Sequence, residues 1–404
     1  MALARLALRQ DDRRRPGWPA RAFLPAHGTL LRRIQMLQAK EKAADRVVPR
    51  GTRALIALLL VGVTLGVSAL RGQPRGAPAS GEQPAKAALK RLPEFDLTYV
   101  DGCCNGVVAF RPAALLNRPG MKAHAAALNR DVSQLCRALG FPAGLGLPVE
   151  AIDQLTAGIE LRSLERGQTG FLLHGPIIRA ARPFDWNQRV RKLVPGATRV
   201  SYAGKVYYRL PRGKLPLLGP RVCFFIPDDR TLVFRPDEKD LRRLLRHKDR
   251  QPPPFARTRG WKRVEHSLFA LAVDNRDKGW ARNLLREKDD ASSVLPLIKR
   301  TNLVTLGMES GRRCVLRAFA ECADERGARE VARVSAQGLR QVRGSLGRHR
   351  LPREAGPEII DLFESVKDLF RQARVGRRGK TVRVESRFRL DLGQLVRLMA
   401  EGRM

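Results

Sequence analysis

The stretch "TVRVESRFRL" (381–390) alternates cleanly, with Val382, Val384, Phe388 and Leu390 on one side and Arg383, Glu385, Arg387 and Arg389 on the other. Successive side chains of a strand point to opposite faces, so the pattern predicts a half-buried strand in an antiparallel or mixed sheet with one wet face. The apolar runs "GVVAF", "FLLHGPII", "LFALAVD" and "LVTLGMES" predict more deeply covered strands, joined by "AGIELRS", "GKVYYRL" and "CVLRAFAEC". "VCFFI" and "TLVF" flank "PDDR", where Pro and Asp suit a tight turn, and together they predict a hairpin. Helical spacing is clearest in "PEIIDLFESVKDLFRQ", which sets Ile359, Leu362, Phe363, Val366 and Phe370 on one face. Other helices are expected from Pro112 through Leu128, Val132, Leu135 and Leu139, over "FDWNQRVRKLV", "DEKDLRRLLR" and "WARNLLREK", and from Asp324 to about Leu346. Asp391 with Gln394 reads as a capping box opening a last helix.

These elements fall into two series separated by "QPPPFARTRG": a first α+β half over 92–250 and a second over 264–404. Each series runs strand, helix, strand, strand, helix, strand, the order of a ferredoxin-like unit, so the fold class is α+β with room for two ferredoxin-like halves. Convergence of α+β domains on such units explains the shared order equally well.

One segment obeys neither period. Ala54 to Leu70 are seventeen uncharged, mostly apolar positions whose polar members are Thr64 and Ser68, bracketed by Arg50 and Arg53 before and Arg71 and Arg75 after. A helix of that length spans roughly 25 Å, the short end of what crosses a bilayer, and it is apolar all round. The expectation is a transmembrane helix over 54–70, after a basic cytoplasmic segment 1–53 and before a Gly/Pro-rich tether 71–91. "VSA" at Val67 to Ala69 also satisfies the small-residue rule for signal cleavage, and Met36 as the true start would shorten the leader. The leader of 53 residues favours an anchor. Lys40, Lys42, Arg46, Arg50 and Arg53 outweigh Arg71 and Arg75, which points to a cytoplasmic N-terminus and a C-terminal domain outside the cytoplasm; counting Lys86 and Lys90 narrows the margin. Gly62 and Gly66 have the spacing at which two such helices pack closely as a homodimer.

Composition adjusts this picture in one respect. The 404 residues carry a formal net charge of +38, which ordinarily suggests nucleic acid or another acidic partner. Of 77 basic residues only 16 are lysine, and the arginines are scattered through helices, strands and loops alike. Aromatics make up 6%, so stacking platforms are scarce and nucleic acid is a disfavoured partner.

The N-terminal 70 residues carry an "ALARLAL" helix, the element "LLRRIQML" (Leu30 to Leu37), a basic stretch and the apolar helix. In that order they resemble the C-terminal end of the membrane domain of BlaR/MecR-like metallopeptidases. The resemblance implies a last transmembrane helix leading to an exported sensor domain. It carries over no catalytic residue, because that chemistry needs His-Glu-x-x-His. His27, His124, His174, His247, His266 and His349 nowhere form that spacing. A sensor-bearing remnant of the larger peptidase fits, as does a chain whose N-terminal part lies outside this reading frame.

Candidate chemistry in the body is sparse. "DGCCNG" sets Cys103 beside Cys104 in a turn, where a vicinal pair suits a soft metal or a strained disulfide. No CxxC and no histidine nearby in sequence completes a metal set, so structural thiols are the simpler expectation, with no metal, cofactor or catalytic residue assigned. Cys136, Cys223, Cys314 and Cys322 bring the total to six, compatible with disulfides in an exported body, although Cys314 and Cys322 at opposite ends of one strand should not pair. Asp228 and Asp229 are explained by turn formation, and Tyr207 and Tyr208 fall on opposite faces of a strand. No G-x-S-x-G, P-loop or dinucleotide fingerprint occurs. The expectation is a membrane-anchored binding or sensing module of unknown ligand, not an enzyme; the alternatives are a basic nucleic-acid-binding protein and a non-catalytic remnant of a membrane zinc peptidase.

Overall fold

The computed structural model describes residues 92–388 except 118–124, 127–128, 131–145, 164–168, 195, 212–220, 247–251, 282–294, 311–313 and 349–356. The segments 1–53, 54–70 and 71–91, and with them Gly62 and Gly66, lie outside the described residues. So do Leu128, Val132, Leu135, Leu139, Cys136, Arg389, Leu390, Asp391 and Gln394. Among the described residues no helix is long and apolar enough to cross a membrane.

The strand Gly106–Phe110 (β1) has no polar position, and all five of its residues are buried. Its alternate side chains feed two different cores: Val107 and Ala109 join one apolar cluster, Val108 and Phe110 another on the opposite face. A strand covered on both faces belongs at the centre of a sheet, and β1 lies between Ile152–Ser163 (β2) and Phe269–Asp274 (β9), antiparallel to both. The backbone approach there is close. A Cβ on Gly106 would stand 2.8 Å from the Ala272 carbonyl oxygen, so the position has room only for glycine.

Pro112–Leu116 (α1) follows β1 and starts on proline, as its sequence predicts. The run "FLLHGPII" forms two strands, Thr169–Leu173 (β3) and Ile177–Ala180 (β4), both paired with the long β2. The break falls at His174-Gly175-Pro176. Pro176 has no backbone donor, and a Cβ on Gly175 would lie 2.5 Å from the Phe234 carbonyl oxygen. Next come Trp186–Leu193 (α2), capped by Asp185, and the strands Thr198–Tyr202 (β5), Lys205–Arg209 (β6), Cys223–Phe225 (β7) and Thr231–Arg235 (β8). β7 and β8 form the expected hairpin. Glu238–Arg246 (α3) buries Leu241, Leu244 and Leu245 at helical spacing.

The segment "QPPPFARTRG" covers the core. Pro254–Arg257 makes a tight 3-10 turn, and Arg259–Lys262 (α4) a single helical turn capped by Thr258. Phe255 and Trp261 are buried in contact with each other, and Trp261 also packs on Phe95. After β9 come Leu295–Arg300 (α5), Thr301–Ser310 (β10), Cys314–Cys322 (β11), Glu325–Arg348 (α6), Pro357–Gln372 (α7), Arg374–Arg378 (β12) and Thr381–Phe388 (β13). Along β13 the expected alternation holds: Val382, Ser386 and Phe388 are buried, Arg383 and Arg387 exposed.

Together the strands form one 13-stranded antiparallel sheet in the order β12, β13, β11, β10, β9, β1, β2, β4, β8, β7, β6, β5, with β3 added on β2. The α+β expectation with antiparallel pairing is met. The ferredoxin-like arrangement of the halves is not. Such a unit splits its first two strands by inserting the third between them. Here β9 pairs directly with β10 and β10 with β11, as β1 pairs directly with β2. Of these pairs, β10 and β11 are joined by the short connection 311–313, which favours neighbours, whereas β1–β2 and β9–β10 pair across longer connections that contain helical turns. The two series also meet in one sheet through the β1–β9 pair, and one apolar cluster draws Tyr207, Phe225 and Leu241 from the first and Val264, Leu303 and Phe319 from the second.

Candidate functional site

The loop between Leu97 and β1 is folded on itself by short-range bonds. Val100 N–H donates to the Leu97 carbonyl at 3.0 Å, Cys104 N–H to the Asp101 carbonyl at 2.9 Å, and Cys103 N–H to Asp101 Oδ1 at 3.2 Å. Asn105 then clamps the loop to β2: its Nδ2 donates to the Leu161 carbonyl and its Oδ1 accepts from Leu161 N–H at 2.7 Å. The result lays the two cysteines across β2 at Gly158. A Cβ on Gly158 would lie 2.6 Å from Cys104 Sγ, so the absent side chain is what admits this thiol.

His174 reaches the same spot through sheet register. Its N–H donates to the Gly158 carbonyl at 2.9 Å, which extends the β2–β3 ladder by one residue and puts the imidazole on the face shared by Gly158 and Glu160. One ligand atom from each of Cys103, Cys104 and His174 lies within 4.8 Å of the others. His174 Nε2 is 2.8 Å from Glu160 Oε2, and Cys103 Sγ is 3.8 Å from the same oxygen. His174 and Cys104 are each only 2% exposed, whereas Cys103 faces solvent.

Two arginines complete the surroundings. Arg235, at the end of β8, is fully buried and donates to the carbonyls of Gly175, Phe234 and Tyr99 at 3.0, 3.0 and 2.6 Å. It therefore ties the β3–β4 junction, next to His174, to the chain that enters the cysteine loop. Arg243 of α3 pairs with Asp101 at 3.2 Å and stands 3.5 Å from Cys103 Sγ.

These contacts set the protonation. A hydrogen bond from Cys104, with a further one from His174, brings the Cys103 thiol down to about 6 against the opposing effect of burial. The same Cys103–Cys104 bond, together with burial, pushes the Cys104 thiol far up. For His174 burial is the largest influence and acts downward, but the hydrogen bonds to Cys103 and Glu160 outweigh it and hold the imidazole above its ordinary value. Asp101 likewise lies below its ordinary value: burial opposes, and the Cys103 N–H and Arg243 prevail. These shifts favour a deprotonated Cys103 beside a protonated Cys104, and they bias the His174 imidazole toward its charged form.

The pairing of Cys103 with Cys104 is legible in the sequence; His174, Glu160 and Arg235 are not. The signal that could have found His174 is the His-Gly-Pro interruption of an apolar run, which forces a strand break there. The other candidates behave as their sequence suggests. Asp228 Oδ1 accepts from Arg230 N–H at 2.8 Å in the hairpin turn. Tyr207 and Tyr208 enter opposite cores, the first bonded to Glu238 and the second to Asn187, and neither offers a free stacking face. Cys314 and Cys322 stand at the two ends of β11, and Cys103, Cys104, Cys223 and Cys322 are free thiols. Of the six histidines, only His174 and His266 lie among the described residues.

A second convergence of Glu94, Glu265 and His266 exists, but Lys262 already occupies it. Its Nζ lies 3.3 Å from Glu94 and 2.9 Å from Glu265, while His266 Nδ1 is 2.7 Å from the Leu92 carbonyl.

Compared with known proteins, the chain matches no family model and no curated protein. A solved structure described as "Structure of crystal form I of TP0453" aligns over 77% of this chain and 98% of its own, at 12% identity and a TM-score of 0.34.

Proposed function

We propose that this protein is anchored in the cytoplasmic membrane by a single pass over 54–70 and that its α+β body works outside the cytoplasm as a non-catalytic binding or sensing module. The observation that carries the binding reading is the convergence of Cys103, Cys104 and His174 at a place where one thiol is open to solvent and the other two donors are sealed. A purely structural trio would be covered entirely; a working one needs an entrance. The location is supported by the all-round apolar run, by the basic residues that precede it, and by the resemblance of the first 70 residues to the end of a sensor-bearing membrane domain. Packing of Gly62 against Gly66 of a second copy would make the anchor a dimer.

A reporter enzyme active only outside the cytoplasm, fused after residue 95, tests the location. Activity is expected. A silent but stably produced fusion would return the body to the cytoplasm, where the net charge of +38 on the whole chain makes nucleic acid the next partner to examine.

A further inference from the structure

The ligand class of this site follows from its donors, and the argument rests on the binding reading just given. Two thiols and an imidazole form a soft to borderline set, which cations such as magnesium and calcium refuse and which zinc(II) and copper(I) take. Three donors suit copper(I) directly and suit zinc(II) with a fourth position left for water or a carboxylate. The second layer is also in place. An imidazole that ligates a metal ordinarily gives its other ring nitrogen to a carboxylate, which fixes the ring, and His174 already bonds Glu160 at 2.8 Å. Burial of Cys104 over Gly158 and of His174 at the strand break removes the mobility that weakens a site built on loops. The exposed Cys103 leaves the entry path open.

Packing alone does not account for this grouping. A buried thiol over a glycine needs no histidine, and a buried histidine bonded to glutamate needs no cysteine. A bond between adjacent cysteines would close a small strained ring, and both thiols are free here.

We infer that Cys103, Cys104 and His174 form a binding site for a thiophilic d10 cation, zinc(II) or copper(I), with Glu160 orienting the imidazole. Binding displaces the protons still held by the ligands, which pass to water, and leaves Arg243 beside Asp101 at the rim.

The test uses the full chain purified in detergent under reducing, oxygen-free conditions. Zinc(II) chloride and copper(I) acetonitrile complex are each titrated against a competing chromophoric chelator, with circular dichroism recorded in parallel. One equivalent of at least one ion is expected to bind per chain. Cys103→Ser, at the exposed position, should fold normally and lose affinity by more than Glu160→Gln does, itself about 10- to 100-fold. Cys104→Ser and His174→Ala should abolish binding, and Cys103→Ser keeps the test decisive if either fails to fold. Failure of both ions to bind, or binding unchanged by Cys103→Ser in a folded protein, overturns the site. An active reporter without metal binding would refute the site and leave the location; metal binding with a silent reporter would do the reverse.

Discussion

Among the described residues two clusters bring three potential ligands together, and only one is built to receive anything. Around Glu94, Glu265 and His266 the donors are oxygen and imidazole, and an ammonium group from the same chain already pairs with both carboxylates. The hydrogen bond to Glu265 holds Lys262 above its ordinary value, with Glu94 adding to it and burial opposing. Around Cys103, Cys104 and His174 the neighbouring cations sit behind the cluster or at its rim. Arg235 turns its Nη1 and Nη2 to three backbone carbonyls, and Arg243 is shared with Asp101. The lesson is that proximity of donors does not make a site. What counts is whether the charge they carry is already balanced by a group that fills the same space.

The sharpest way to break the contrast is to remove the support beneath the thiol cluster. Arg235→Ala strands the carbonyls of Gly175, Phe234 and Tyr99 in a buried place and leaves a cavity. It should cost about 3 kcal/mol, measured as a loss in denaturant-unfolding free energy, with the metal site lost as well. An undiminished midpoint would mean that the arginine does not organise the site. Gly158→Ala acts more locally. Its Cβ would collide with Cys104 Sγ at 2.6 Å, and the cysteine loop must lift; about 2 kcal/mol of destabilisation is expected, along with a Cys104 that becomes reactive to thiol reagents in the folded state.

How far the sequence discloses all this depends on burial. Central strands such as β1 and β9 announce themselves because both faces, or one full face, are apolar. The edge strands β5 and β12 do not. "TRVSY" and "RVGRR" are mostly exposed, and their arginines protect the sheet margins from pairing with other chains, so they read as loop. The β5–β6 turn is equally discreet, with Ala203 at φ 50 and Gly204 at φ 71 between paired Tyr202 and Lys205. Strand order was hidden for a different reason. Local pattern identifies a strand but not its neighbour, so a split unit and a meander share one order along the chain. The site fell between these cases: Cys103 and Cys104 are adjacent in sequence, but His174 joins them only through the β1–β2–β3 register.

Lys262→Ala sharpens the comparison from the other side. It strips the ammonium from Glu94 and Glu265, yet because Lys262 is half exposed the loss should stay under about 1 kcal/mol. If the occupying ammonium is what closes this cluster, its removal should let the freed carboxylates and His266 take up a further equivalent of zinc(II) in a chelator competition; no uptake beyond that of the unsubstituted protein would show that the balance of charge is not what separates the two clusters. The smallest effect is a shift in pH profile. Iodoacetamide alkylation of Cys103 in metal-free protein, followed by mass spectrometry, should rise with the thiolate fraction and reach half its limit near pH 6. The direction follows from the hydrogen bonds: each favours the deprotonated sulfur, so the thiolate persists above that pH and is lost as pH falls through it. Cys104→Ala deletes the strongest of them and should move the midpoint up toward the ordinary thiol value, whereas Lys262→Ala should leave it in place. A Cys103 profile that tracks Lys262 instead of Cys104 would show that long-range charge, not the local thiol–thiol bond, sets the state of the site.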